Sequence, residues 1–348
     1  MDLSSFKTTF DGVLQTYIHD KIDYAKSLIN DKKINTYIDY IATFIFSGGK
    51  RNRPYGLRLI YTWFGWNNEK AILKFGIVFE LLHSFALIHD DIIDESDKRH
   101  NILTVHSHIQ TVLKDNSHAK HIGEAHAILI WDLLFSRVYE LLHKQHDFPE
   151  DLLWEARTNI DNMIEEVILW EMIDVDMTVS EPASLWLIDK KNMYKTASYT
   201  FIRPMLTWAI LADAPEHQKQ LIIELGKYMG MVFQMRDDYL DVMGGDKTKS
   251  TFSDTQEWQQ TYFTNYIFEK WTSQQKELLQ SSMGKPLDNK HIQVLQKMFE
   301  ESGALAFGKQ SIIAYSQKAK DILAQTQLND EAKKSILALI AKMEKLEH

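Results

Sequence analysis

The sequence predicts an all-α protein: one helical bundle of about a dozen helices in a single domain over residues 1–345, with 346–348 read as a tag remnant. Three observations predict it. Apolar residues recur at helical spacing through most of the chain, and no convincing run alternates as a half-buried strand would. Proline is scarce at 6 and glycine modest at 14, which leaves few regular turn signals. No low-complexity linker divides the 348 residues.

The elements follow in order. A helix includes 37–46 and is ended by Gly48 and Gly49, and Pro54 suits the first turn of the next. Leu73, Ile77, Phe79, Leu82 and Leu87 make one apolar face. Ile160, Met163, Ile164, Val167 and Met172 make a second, and Leu221, Ile222, Leu225, Met229 and Val232 a third. Breaks fall at 47–49, 99–104, 115–117, 147–149, 180–182, 212–215 and 243–254. The polar stretch 244–254 is the longest loop, of the kind that often serves as a lid.

Composition narrows the function. A formal charge of -9 argues against a nucleic-acid partner, so any anionic substrate must be held by local basic residues or metal. The absence of cysteine excludes disulfides, a thiol nucleophile and a prenylated C-terminus, and fits a cytoplasmic setting. The first residues lack the basic-then-apolar order of a signal peptide. No uninterrupted apolar stretch reaches about 18 residues, so no membrane span is expected.

Two D-D-x-x-D clusters stand far apart, Asp90-Asp91-Ile92-Ile93-Asp94 and Asp237-Asp238-Tyr239-Leu240-Asp241. On a helix, positions i, i+3 and i+4 share a face, so the acids of each cluster are expected to point one way. Two carboxylates about 6 Å apart repel by roughly 3 kcal/mol at an effective dielectric near 20. An otherwise apolar helix would not carry that twice without a cation. Clustered hard oxygens suit Mg²⁺ shared with a phosphorylated substrate. One such cluster alone reads as a solvated face; its repetition in apolar sequence weakens that reading.

Basic residues complete the pattern. Lys50, Arg51 and Arg53 crowd a helix N-terminus, where free N–H groups already favour an anion. The segment is no nucleotide P-loop, since no glycine stands five residues ahead of the Gly49-Lys50 pair and no Ser or Thr follows the lysine. His83 lies two helical turns before Asp90, whereas His89 points away and reads as structural. Lys195-Thr196 sits among small and apolar residues, where a lysine is unusual, and Gln234 lies one turn before Asp238. Taken alone, Lys195 reads as a snorkelling surface lysine and Gln234 as a buried amide.

Together these segments resemble the trans-polyprenyl diphosphate synthase family, short-chain type, over most of 48–254. The resemblance rests on Gly48-Gly49-Lys50-Arg51-x-Arg53-Pro54, Leu87-Ile88-His89-Asp90-Asp91-Ile92-Ile93-Asp94, Thr104-Val105-His106, Lys195-Thr196-Ala197-Ser198-Tyr199 and Phe233-Gln234-x-x-Asp237-Asp238-x-x-Asp241. It implies an isoprenoid synthase-like fold, with both aspartate-rich helices facing a deep central cavity, usually in a homodimer. It implies three Mg²⁺ ions bridging the aspartates to an allylic diphosphate, with Asp90, Asp94 and Asp237 as direct ligands and Asp91, Asp238 and Asp241 placing metal-bound water. Arg99, Lys195, Lys247 and Lys249 would hold the allylic diphosphate, and Lys50, Arg53, His83 and His100 isopentenyl diphosphate. Lys195, Thr196 and Gln234 join Asp90 and Asp237 in the catalytic set. Phe85 with small Ala86 upstream of the first cluster resembles enzymes making C20 products, with C15 next.

The chain departs from the family pattern at several positions. Arg99-His100 stands where two arginines are usual, Asn101-Ile102-Leu103-Thr104 replaces Gly-x-Pro-Thr, and Gln259 replaces a lysine. Trp170 and Glu171 replace a glycine and a carboxamide, with Asp174 retained. Each lost charge-assisted contact is worth roughly 1.5–3 kcal/mol. Two other readings therefore stay open: an enzyme that ionises a prenyl diphosphate for cyclisation or another acceptor, and a non-catalytic partner subunit of a synthase.

Overall fold

The computed structural model describes residues 3–48, 51, 53, 54, 56, 58, 68–114, 116–244 and 251–346. Among them the fold is all-α apart from one small hairpin. Contacts group the chain into two compact units, one built on residues up to Glu150 and the other on residues from Asp151.

The N-terminal unit comprises α1 (Leu3–Leu28), α2 (Lys32–Phe46), α3 (Glu69–Ile93), the hairpin of β1 (Lys98–Arg99) and β2 (Ile102–Leu103), α4 (Val105–Leu113) and α5 (Ala119–His143). α1 buries one stripe, Phe6, Phe10, Leu14, Ile18 and Ile22, spaced every fourth residue. Asp31 caps α2 by accepting from Lys33 and Ile34 N–H at 2.9 Å, which satisfies two donors the helix cannot pair itself. α3 carries the first acid cluster at its end and is buried nearly all round over its first turns. Its mean hydropathy reaches 1.8 over 18 residues, so by length and composition alone it is apolar enough to cross a membrane. That window is 78% buried, the signature of a core helix.

The sequence break at 99–104 holds the only strands among the described residues. Arg99 pairs with Ile102, and His100 and Asn101 both take positive φ, 50° and 66°. Two left-handed residues at the tip match the right-handed twist of the strands. Asparagine tolerates that conformation, so Asn101 does locally what a glycine would.

The C-terminal unit comprises α6 (Glu150–Met177), α7 (Leu185–Lys191), a π-helix (Asn192–Ile202), α8 (Arg203–Leu211), α9 (Glu216–Met243), α10 (Ser253–Gln256), α11 (Tyr262–Lys270), α12 (Ser273–Ser282), α13 (Asn289–Glu301), α14 (Ala304–Gln325) and α15 (Asp330–Met343). α9 packs on the π-helix through two glycines. A Cβ at Gly230 would stand 2.2 Å from Ala197 Cβ, and one at Gly226 would stand 2.9 Å from Ile202 Cα. Only bare backbone lets the helices approach this closely. π-Helical turns are rare and recur at functional sites, and this one carries Lys195 and Thr196.

Candidate active site

In the N-terminal unit, α3 ends in an acid cluster whose members divide. Asp90 and Asp94 are half-buried and partly open to solvent, whereas Asp91 is only 1% exposed. The expected common face fails for Asp91, because adjacent helical positions diverge by about 100°. Asp91 Oδ1 instead accepts from Arg99 Nε at 2.7 Å. Burial raises the Asp91 pKa, and the Arg99 pair offsets only part of that. Arg99, expected on the allylic diphosphate, is thus already engaged by a carboxylate.

Around His83 the structure gathers the predicted basic residues. Burial pushes its imidazole well below the usual range, and Arg53, Arg99, Arg51 and His100 push the same way. His83 is therefore neutral among four basic groups. Gly48 lies under the His100 ring, where a Cβ would come within 2.5 Å of Cδ2. Arg51 is structural rather than open. It is 4% exposed and donates to Asp11 Oδ1 at 2.7 Å, Glu80 Oε2 at 2.6 Å and Ile45 O at 3.2 Å. Lys50 lies outside the described residues. The Thr104-Val105-His106 segment is buried, with Thr104 Oγ1 3.3 Å from His106 Nδ1.

Phe85 is buried against α5, its ring 5.0 Å from Trp131 and 5.3 Å from Phe135, while Ala86 is partly exposed. His89 stacks on Trp131 at 4.0 Å, in keeping with a structural role. Sequence reasoning missed Trp131 and Phe135; their spacing with Tyr139, every fourth residue, was the available signal.

In the C-terminal unit, the π-helix and α9 bring Thr196, Gln234 and Asp238 into one chain. Thr196 Oγ1 donates to Gln234 Oε1 at 2.7 Å, and Gln234 Nε2 donates to Asp238 Oδ1 at 2.6 Å. Asp237 is partly exposed, but Asp238 is 2% exposed and Asp241 7%. Burial, then Asp254, push Asp238 up to about 7; Asp237 adds to this, against the Gln234 bond and Lys191. Asp241 Oδ1 accepts from Ser253 N at 2.8 Å and Ser253 Oγ at 2.6 Å. It therefore fastens the chain where it returns from the polar loop. Lys247 and Lys249 lie in that loop, outside the described residues.

Lys195 meets two acids of α6, Asp174 Oδ2 at 2.5 Å and Glu171 Oε2 at 2.8 Å. Lys191, one turn earlier, also pairs with Asp174, at 2.8 Å, and donates to Gln260 O at 2.7 Å. Burial opposes the charge of Asp174, but the two lysines overcome it and hold its pKa below the ordinary value. Sequence reasoning missed Lys191, whose signal was its four-residue spacing from Lys195. Trp170 stacks on Tyr194 at 5.2 Å. Gln259 N–H donates to Asp254 O at 2.8 Å.

Among the described residues, no group of three His, Cys, Asp or Glu side chains stands ready to hold a metal ion. A divalent cation here would need further oxygens, which suits Mg²⁺ shared with water and phosphate. The donor set fits such an ion: all six predicted ligands are carboxylates, and the like charges of Asp254 and Asp237, which add to burial in lifting Asp238, are what a cation would relieve.

Comparisons place the chain among known proteins. The family model described as polyprenyl synthetase matches residues 32–302. A geranylgeranyl diphosphate synthase of Methanosarcina mazei is 29% identical over 302 residues, covering 85% of each chain. A short chain isoprenyl diphosphate synthase of Methanothermobacter thermautotrophicus is 26% identical over 335 residues, covering 94% of this chain and 96% of that one. A geranylgeranyl pyrophosphate synthase from Corynebacterium glutamicum, complexed with isoprenyl diphosphate and magnesium, shares the fold with a TM-score of 0.89 at 23% identity over 100% of both chains. With an all-α isoprenoid synthase fold and a match spanning both acid clusters, this chain belongs to the polyprenyl synthetase family.

Proposed function

We propose that the chain is a short-chain trans-prenyl diphosphate synthase, a prenyltransferase that condenses isopentenyl diphosphate head-to-tail with an allylic diphosphate. The carrying observation lies on α3 and its neighbours: neutral His83 sits among Arg53, Arg99, Arg51 and His100, two turns from Asp90. The basic groups gathered around His83, and the acid cluster at the end of the helix that carries His83, match a substrate diphosphate beside a metal-bound one. Lys50, Arg53, His83 and His100 hold isopentenyl diphosphate in this reading. Arg99, Lys195, Lys247 and Lys249 hold the allylic diphosphate.

When bound, Mg²⁺ supplies Lewis acidity toward the leaving diphosphate; Asp90, Asp94 and Asp237 would hold it, as three ions in all, with Asp91, Asp238 and Asp241 behind them. Lys195 and Arg99 neutralise charge that grows on the diphosphate as the allylic C–O bond ionises. Thr196, fixed by Gln234, lines the reacting region from the π-helix. The isopentenyl alkene attacks the carbocation and a proton is lost to the released diphosphate. Apolar walls exclude water from the cation. Phe85, buried, with small Ala86 next to it in the chain, favours a C20 product, with C15 next.

A homodimer is part of the proposal, supported by an exposed apolar stripe on α6: Ile168, Met172 and Val175, from 41% to 62% exposed. The composition supports a cytoplasmic setting.

The test is incubation with Mg²⁺ and farnesyl diphosphate, with and without isopentenyl diphosphate, and a mass spectrum of the dephosphorylated product. Elongated product only when both are present supports the proposal. Product without isopentenyl diphosphate favours ionisation for another fate. No product from the pure chain favours a partner subunit.

A further inference from the structure

Two lysines and two carboxylates form a closed group where α6 meets the π-helix. Glu171 and Asp174 lie one turn apart on α6, and Lys191 and Lys195 one turn apart across from them. Asp174 spends both oxygens there, Oδ1 on Lys191 at 2.8 Å and Oδ2 on Lys195 at 2.5 Å. Lys191 and Asp174 are buried and balance each other. The charge of Lys195 is then balanced by Glu171, 2.8 Å away. Neither of this second pair is sealed in: the side chains are 27% and 19% exposed, so an arriving anion can reach both.

We propose that Glu171 is an internal competitor for Lys195, a specificity-determining carboxylate that the allylic diphosphate must outcompete. The inference rests on the reading of Lys195 as a diphosphate-binding residue. The group of four is neutral with Glu171 ionised and carries one positive charge without it. An anion bound within several ångströms feels that difference strongly in a partly desolvated site. Glu171 thus sets affinity for the diphosphate end of the substrate. The basic residues assigned to isopentenyl diphosphate belong to the N-terminal unit instead.

The experiment compares wild type with E171Q, E171A and E171D. Inorganic pyrophosphate with Mg²⁺ is titrated calorimetrically, and KM for farnesyl diphosphate is measured at saturating isopentenyl diphosphate. Removing the charge is expected to tighten pyrophosphate binding and lower KM for farnesyl diphosphate about five- to tenfold, on the scale of one ion pair in a half-exposed site. KM for isopentenyl diphosphate stays put, and E171D keeps the wild-type affinity. Unchanged or weaker pyrophosphate binding in both E171Q and E171A overturns the proposal and makes Glu171 a support for Lys195. The titration requires no turnover. Failure of elongation in wild type would therefore sink the synthase reading while leaving the Glu171 inference to be judged by the pyrophosphate titration.

Discussion

Arg51 and Glu80 form a buried ion pair in the N-terminal unit, Nη1 standing 2.6 Å from Oε2 with each side chain 4% exposed. Arg51 also takes a left-handed backbone, φ 51°, that a non-glycine residue adopts only when held there. Glu80 sits one turn before His83 on α3, so the pair ties the basic turn to the helix that bears the predicted isopentenyl site. E80Q leaves the buried guanidinium with Asp11 as its remaining counter-charge and is expected to cost about 1–3 kcal/mol. Denaturant melts would measure the cost. KM for isopentenyl diphosphate should rise with it, and a neutral effect on both would remove the role given to Arg51.

Asp90 and Asp94 are partly open to solvent, so alanine at either should leave the fold intact. Activity should fall by about 10²–10³-fold, the scale of one lost transition-state contact. Chelation of divalent ions should abolish the wild-type rate, and added Mg²⁺ should restore it. Circular dichroism and turnover together check the separation of fold from function.

Gly230 allows the contact on which the π-helix depends. G230A should cost about 1–3 kcal/mol by overpacking and lower kcat by displacing Thr196 from Gln234. Adding A197G should not rescue it, because Ala197 Cα alone would lie 2.4 Å from the new Cβ. A full rescue in thermal melts would show that the backbones have room to separate.

Asp238 titrates near 7, higher than the roughly 3.9 of an unfolded aspartate. A carboxyl raised on folding contributes stability that is present below its unfolded pKa and lost as pH rises through its folded one. Metal-free wild type should therefore lose stability between about pH 4 and 7 from this group. D238N keeps the protonated shape, so its melting temperature should match wild type near pH 4 and exceed it by several degrees at pH 8. Equal melting temperatures at pH 8 would contradict the shift.

Phe85 packs against Trp131 and Phe135. F85A should lengthen the product by one or more five-carbon units, read from the mass spectrum. It also opens a core cavity costing about 3–5 kcal/mol, so the milder F85L should shift the product distribution in the same direction.

The all-α class, the two acid clusters and the basic turn were legible because helical period and residue type are local properties. Part of the placement was legible for the same reason: Asp90, Asp94 and Asp237 keep partly exposed side chains, and Gln234 bonds both Thr196 and Asp238. The small hairpin escaped notice because two-residue strands carry no period. The long α1 stripe was available in the spacing of Phe6, Phe10 and Leu14 but lies before the informative motifs.

The sequence by itself determined which charges this protein carries and at what helical spacing. Only the tertiary structure decided which of them remain available. Asp91 turns inward to Arg99, Asp241 is taken by Ser253, and Glu171 reaches Lys195 from 24 residues away in the chain. Spacing fixes where a side chain leaves its own helix. What it meets there depends on how closely another backbone approaches, and at Gly226 and Gly230 that approach is set by atoms that are absent.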